Sequence, residues 1–471
     1  MTSPASIAAE LAETTRRQAA AADPLASCWV SANAGTGKTH VLTMRVLRLL
    51  LAGTPPERIL CLTFTKAAAA EMSKRVFESL AKWVMLPEAD LGETLTTFLG
   101  RAPSQEEMLL ARTLFTRATE TPGGLGIVTI HAFAERLLQR FPLEAGVTPG
   151  FSILDDTTAR KLMREAIDHV IGAAARDPRS PLGRALEAAI AYAADDHFDD
   201  ILTDAVSRRE WLEGVARLPS EADGGPEGLD VAEQLYRRYF GVRAGITRAA
   251  IETDAADLLS AAQLAHLRDV LRGGTKTDAG MADKISAALA APSDGARMEA
   301  LCGLFLKSNG EPRDKFLTKA LKEMNPEAEP MLARAQSRFL SLWTERQGAV
   351  AVEATMALIR LADAVRQRYT NAKVRRAALD FDDLIARAQN LLANSSSVEW
   401  VLYKLDRGLD HILVDESQDT SPSQWRVVEA IAGEFFAGTG AREDVVRTLF
   451  AVGDEKQSIY SFQGAAPEMF S

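Results

Sequence analysis

The chain has little cysteine, no long apolar run and no excess of positive charge, and each shortage removes a class of protein. Its three cysteines, Cys28, Cys61 and Cys302, stand far apart, without the close paired spacing that a zinc site or a disulfide framework needs. That usage suits a reducing compartment, and the cytoplasm is the expected location. The opening "MTSPASIAAELAETTRRQAAAADP" has neither the basic start nor the continuous apolar centre of a secretory signal, and no later stretch is apolar for long enough to span a bilayer. No membrane role is expected. The formal net charge is -10, which excludes a broad basic surface wrapped on duplex DNA, because nonspecific nucleic-acid affinity comes chiefly from Lys and Arg neutralising phosphates. Any nucleic-acid site must be local.

What is present is a chain of 471 residues, 47% of them hydrophobic, enough to bury a sizeable core in two or three domains. Several short apolar runs end abruptly in small or polar residues: "SCWVSA" before Asn33, "ILCLTF" before Thr65, "GIVTI" before His131, "HILV" before Asp415 and "LFAV" before Gly453. Runs of this length without polar alternation suit strands buried on both faces of a parallel sheet. Helical sequence follows most of them, as in "KAAAAEMSKRVFESL" and "AFAERLLQRF". The repeated strand-helix pattern predicts a doubly wound α/β domain with its site at the carboxyl edge of the sheet. From about Asp156 to Leu379 the spacing turns helical, in "TTARKLMREAIDHVIGAAARD" and "AVEATMALIRLADAVRQRY", so an inserted all-helical domain is expected. The expected division is 1–155 and 371–471 for the α/β domain and 156–370 for the insertion. "PSEADGGPEG" and "RGGTKTDAGMADK" read as surface loops.

The chemistry is concentrated at the strand ends. "SANAGTGKTH" follows the first strand and leads into the helical "VLTMRVLRLLL". A phosphate loop needs small residues so that backbone N–H groups can turn onto phosphates, a lysine for the β/γ-phosphates and a hydroxyl for Mg²⁺. Gly35, Gly37, Lys38 and Thr39 meet those needs, within a binding stretch that also takes in Ala34, Thr36 and His40. Ala32 stands where the general pattern has its first glycine. "GGTKTD", from Gly273 to Asp278, has similar letters but follows the charged, helical "HLRDVLR", and is expected to be a plain loop. In "HILVDESQDT", Asp415 and Glu416 leave the end of an apolar strand. Two adjacent acids there can divide the work of triphosphate hydrolysis, Asp415 holding the Mg²⁺ shell and Glu416 the attacking water.

In chain order, "AGTGKT", "TFTKAAAAEM", "TIHAF", "LDFDDLI", "VDESQDT" and "GDEKQSIYSFQGA" resemble the N-terminal half of a superfamily 1A helicase of the UvrD/Rep type. The wording of "WVSANAGTGKT", "LDHILVDESQDTSPSQW" and "GDEKQSIYSFQGA" is most similar to the AddA branch, the helicase-nuclease subunits of bacterial double-strand-break repair. This resemblance implies a RecA-like motor domain that binds ATP and Mg²⁺. It also implies 3′ to 5′ movement on single-stranded DNA, action at duplex ends and an AddB-type partner subunit. It makes Gln18 the adenine-reading residue, Gln457 the sensor of the γ-phosphate, and Gln418 a member of the same polar network. For DNA it points to Thr63, Phe64, Thr65, His131, Tyr460 and Phe462, whose aromatic members can stack on unpaired bases without reading sequence. A histidine that merely caps the next helix is the competing role for His131.

Lys66 and Ala67 depart from the Asn-Lys of many members, and Gln463 stands where many have arginine. The later motifs, which the resemblance places in a second motor domain, have no counterpart before Ser471, and neither does a nuclease domain. The end at Ser471 is therefore expected to be a break, and the piece alone is expected to bind Mg-ATP weakly and hydrolyse it poorly. A stand-alone UvrD-like repair helicase and a phosphate-loop ATPase that switches without unwinding are the alternative readings.

Overall fold

The computed structural model describes residues 4–31, 33, 37–192, 197–219, 228–393, 397–406, 408–436 and 445–454. The five apolar runs form one sheet: β1 (Cys28–Ser31), β2 (Ile59–Thr63), β3 (Gly126–Thr129), β6 (His411–Val414) and β7 (Thr448–Gly453). A second, two-residue pairing joins β4 (Ser152–Ile153) to β5 (Ala378–Leu379). In the large sheet the order is β1-β7-β6-β2-β3, and every neighbouring pair is parallel. The α/β architecture expected from the sequence is the one observed.

Alternate residues of the central strands feed two cores, which is why those strands show no polar alternation. Ile59 and Cys61 of β2, Leu413 of β6 and Phe450 of β7 pack with Leu42, Leu49, Met72, Leu80 and Trp83 on one face. These come from α2 (Lys38–Leu51) and α3 (Lys66–Met85), with α4 (Glu88–Leu99) and α5 (Gln105–Glu120) behind them. Leu60 and Leu62, Ile412 and Val414, and Ala451 turn to the other face, where Phe133, Leu137, Leu384, Val401 and Ile431 meet them. That face is covered by α6 (Ile130–Arg140) and the helices Phe381–Ala393, Val398–Asp406 and Pro422–Phe436. Each fully buried Leu or Ile contributes about 1.5–3 kcal/mol. α1 (Pro4–Ala21) precedes β1.

By contact the chain falls into two compact units, Met1–Asp156 with Lys373–Ser471, and Thr157–Ala372. The second unit is built of helices, and the long helix Ala328–Arg375 ends in the first. Here one expectation is corrected: "GGTKTD" is not a plain loop. Only Gly273–Thr275 link two helices, and Lys276 already begins the helix Lys276–Ala290. The reason is Asp278, buried to 1% exposure, which accepts from the backbone N–H and the hydroxyl of Thr275 at 2.8 and 2.7 Å and from the hydroxyl of Thr318 at 2.9 Å. A capping box of this kind starts a helix wherever it falls. Of the other expected loop, 220–227 lie outside the described residues. Among the described residues no helix is long and apolar enough to cross a membrane.

Candidate functional site

Because the five strands are parallel, their carboxyl ends share one edge, and the register aligns them: Ser31 opposite Gly453, Val414 opposite Ala451, Leu62 opposite Val414 and Thr63 opposite Thr129. Among the described residues, Lys38 and Thr39 come after β1 and Asp415, Glu416 and Gln418 after β6, while the DNA candidates Thr63, Phe64 and Thr65 stand at the end of β2 and His131 just past β3.

Gly37 ends the candidate phosphate loop at φ 88°, ψ 28°, left-handed, and caps α2 with no side-chain hydrogen bond. Glycine is needed there chiefly for its backbone. The backbone conformation disfavours any Cβ, and a Cβ would lie 3.2 Å from Nε2 of Gln18. No side chain of the cap therefore takes the first N–H groups of α2, as an anion site requires. Ala34, Gly35 and Thr36 lie outside the described residues. Gln18, half-buried on α1, is thus beside Gly37, and His40 is exposed on the first turn of α2.

Lys38 meets the acids. Its Nζ donates to Oε2 of Glu416 at 3.1 Å across 378 positions of sequence. Nε2 of Gln418 donates to the same oxygen at 2.7 Å, and Oε1 of Gln418 accepts from the backbone N–H of Asp454 at 2.9 Å. Gln418 therefore ties the acids after β6 to the end of β7. Glu416 sits at φ 49°, ψ 45°, a left-handed conformation uncommon for a residue with a Cβ. Asp415 is only 6% exposed; its backbone N–H donates to Leu62 O at 2.8 Å, and its Oδ1 accepts from the Glu416 N–H at 3.0 Å. Burial, and then the charge of Glu416, push its carboxyl up to about 6 against the smaller pull of Lys38.

A buried acid held at so high a value is one that a cation would relieve, and the residues fit Mg²⁺ in that sense. Among the described residues no group of three or more His, Cys, Asp or Glu could hold a metal ion. Thr39 and Asp415 would supply the protein's share, with phosphate oxygens and water completing the shell, as is usual for Mg²⁺.

The DNA candidates divide. Thr63 is 2% exposed and donates its hydroxyl to Thr65 O at 3.1 Å, so it shapes the strand end from inside. Thr65 caps α3, its Oγ1 accepting from the Ala68 N–H at 3.0 Å. Phe64 between them is half-buried. The cap of α6 is Thr129, which accepts from the Ala132 N–H, so His131 is not the capping residue. His131 is half-buried, with burial pushing its imidazole below the ordinary value and Asp382 acting in the opposite sense. Gln457, Tyr460 and Phe462, with Gln463, lie outside the described residues.

One group was missed. "LDFDDLI" carries no assigned role in the sequence, yet Phe381 meets His131 edge to face, centroids 5.5 Å apart at 76°, and stays 37% exposed. The turn before it is pinned by Lys373, whose buried Nζ donates to Oδ2 of Asp380 at 3.0 Å and to Oδ2 of Asp383. Asp380 and Asp383 cap one another's backbone N–H groups at 3.1 and 3.0 Å. A phenylalanine set among acids just after a strand was the available signal.

Comparison with known proteins gives the family. Curated relatives named as ATP-dependent helicase/nuclease subunits include those of Levilactobacillus brevis, 29% identical over 94% of this chain and 34% of that protein, and Pelotomaculum thermopropionicum, 27% over 94% and 34%. Another is that of Desulfitobacterium hafniense, 27% over 97% and 32%. The chain thus spans about a third of the length of the curated relatives it matches. Residues 12–471 match the model of the UvrD/REP helicase N-terminal domain, and the chain belongs to that family.

Proposed function

We propose that this chain is the first motor domain of an ATP-dependent DNA helicase that moves 3′ to 5′ on single-stranded DNA in double-strand-break repair. It works within a helicase-nuclease complex beside an AddB-type partner subunit. Residues 1–155 and 371–471 form the motor domain and 156–370 a helical insertion. The observation that carries this reading is the meeting of Lys38 with Glu416, next to buried Asp415, at the carboxyl edge of the sheet. The names of the relatives support the helicase-nuclease context, and their being called subunits supports a partner.

The residues supply the chemistry as follows. Lys38 leaves Glu416 for the β/γ-phosphates, and the α2 N–H groups take the remaining phosphate oxygens. Thr39 and Asp415 would hold Mg²⁺, which when bound would supply positive charge beside the phosphate oxygens. Glu416, freed of Lys38, orients the water that attacks the γ-phosphorus as the bond to the bridging oxygen breaks, giving ADP and phosphate. Gln418 reports that change to Asp454 and so to the stretch beyond β7. Unpaired bases stack on Phe64 and His131 with Phe381.

Lys38→Ala tests the reading. Titration with a fluorescent ATP analogue is expected to show at least about a tenfold loss of affinity, since a charge-assisted hydrogen bond contributes about 1.5–3 kcal/mol. Unchanged affinity overturns the phosphate-loop assignment. ATP hydrolysis that a single-stranded oligonucleotide fails to stimulate favours a switch over a motor.

A further inference from the structure

We propose that Arg45 and Arg48 are positioning residues for adenine recognition: from α2 they hold the end of α1, and so set Gln18 at a fixed distance from Gly37 and the first turn of α2. This rests on the ATP reading above and names what sets its base specificity.

A helix leaves its last carbonyls without partners, and α1 has no basic residue in its own last turn to meet them. α2 supplies two. Arg48 donates to Ala19 O at 2.7 Å and, on its other side, to Phe98 O at 2.9 Å. Arg45 donates to Ala21 O at 3.0 Å, to Asp23 O at 2.7 Å and to Ala26 O. Its second terminal nitrogen also reaches Oγ1 of Thr448 on β7 at 2.9 Å. Gln18 is the residue before Ala19, its own carbonyl accepting from the Ala22 N–H at 3.0 Å, and its Nε2 lies against Gly37. The helix that begins with Lys38 therefore also carries, seven and ten positions on, the clamp on the base-reading residue. Phosphate grip and base reading are referenced to one rigid rod.

Arg45 is 0% exposed, with its guanidinium 5.0 Å above the Phe450 ring. Burying a charge is costly, and an apolar side chain of similar volume often packs as stably. What the arginines add is direction: planar forks that fix backbone carbonyls in place. Adenine offers N6 and N7 to a glutamine amide as a donor-acceptor pair, and guanine does not. The discrimination works only if that amide stands at the right distance.

The test measures displacement of a fluorescent ATP analogue from the full chain by ATP and by GTP. The wild type is expected to prefer ATP, and Gln18→Ala to lose about tenfold for ATP with GTP unchanged. Arg48→Met is expected to reproduce that loss, and the double variant Gln18→Ala with Arg48→Met to bind ATP no more weakly than Gln18→Ala. Arg45→Lys, which keeps the buried charge but not the fork, gives the same selective loss and serves if Arg48→Met does not fold. Equal losses for ATP and GTP, additive losses, or no loss overturn the inference alone. A wild type that binds neither nucleotide overturns the ATP reading and this inference with it.

Discussion

Asp415 is a carboxyl held away from water beside a second acid, and that placement has a cost the free protein bears. Its folded value of about 6 stands above the ordinary 3.8. A raised acid stabilises the fold only while protonated, so stability from this group falls as pH rises through about 4 to 6. The full difference is about 3 kcal/mol. Asp415→Asn is therefore expected to raise the melting temperature of the nucleotide-free protein by several degrees at pH 7.5 while abolishing Mg²⁺-dependent ATP hydrolysis. The gain should vanish near pH 4; a loss of stability at pH 7.5 would show that the carboxylate is better satisfied than its burial indicates. The left-handed backbone of Glu416 is a second cost at the same spot, a kind of strain that concentrates at functional sites. Both acids were legible in "HILVDES" because hydrolysis needs them as a pair. Arg45 was not, since an arginine in an amphipathic helix ordinarily faces solvent. The available signal was that "VLTMRVLRLLL" is apolar on nearly every side and leaves a charge nowhere exposed to go.

At the scale of one element, β6 carries titrating groups of opposite effect at its two ends. His411, at its first position, is 4% exposed and held down to about 4, by burial first and by Arg45, against Asp410. Its Nδ1 shares a 2.8 Å hydrogen bond with Oγ1 of Thr448. The unfolded chain binds a proton there below about 6.5 and the fold does not, so this group takes stability away as pH falls from about 6.5 to 4. Asp415 adds stability over nearly the same fall. The two slopes oppose, and melting curves of the wild type across pH 4–6.5 should be flatter than either variant's. Asp415→Asn should expose a steep acid loss, and His411→Gln a gain on acidification; parallel curves for all three would refute the opposition. The strand itself was easy to find, for "HILV" is buried at every position. β4 and β5 were not, because two residues are too few for a period to show. The helices α4 and α5 drew no expectation either, and Lys373 hid at the end of a 48-residue helix whose pattern announces only a surface.

At the scale of the whole α/β unit, the proposed nucleotide and DNA sides meet at the β6–β2 pair, where the Asp415 N–H donates to Leu62 O and Phe64 follows two residues on. A change in the acids has one short step to travel before it reaches the proposed base-stacking side. Coupling between two binding sites is reciprocal, so single-stranded DNA should raise the affinity for an ATP analogue by the same factor that the analogue raises affinity for DNA. On the proposed DNA reading, a net charge of -10 argues against a broad basic surface, so stacking is expected to carry most of the grip. The expected salt slope of oligothymidine binding, log affinity against log salt, is therefore shallower than about -2, which corresponds to three neutralised phosphates or fewer. Phe64→Ala and His131→Ala are each expected to weaken that binding about tenfold, from about 1–3 kcal/mol per stacked base. Both should abolish the effect of DNA on the analogue while leaving DNA-free nucleotide binding as it was. Fluorescence anisotropy of a labelled oligothymidine, with and without the analogue, measures all of these quantities. A steep slope with both aromatic variants unimpaired would place the DNA on charged side chains elsewhere and leave the β2 and β3 ends without a part in binding.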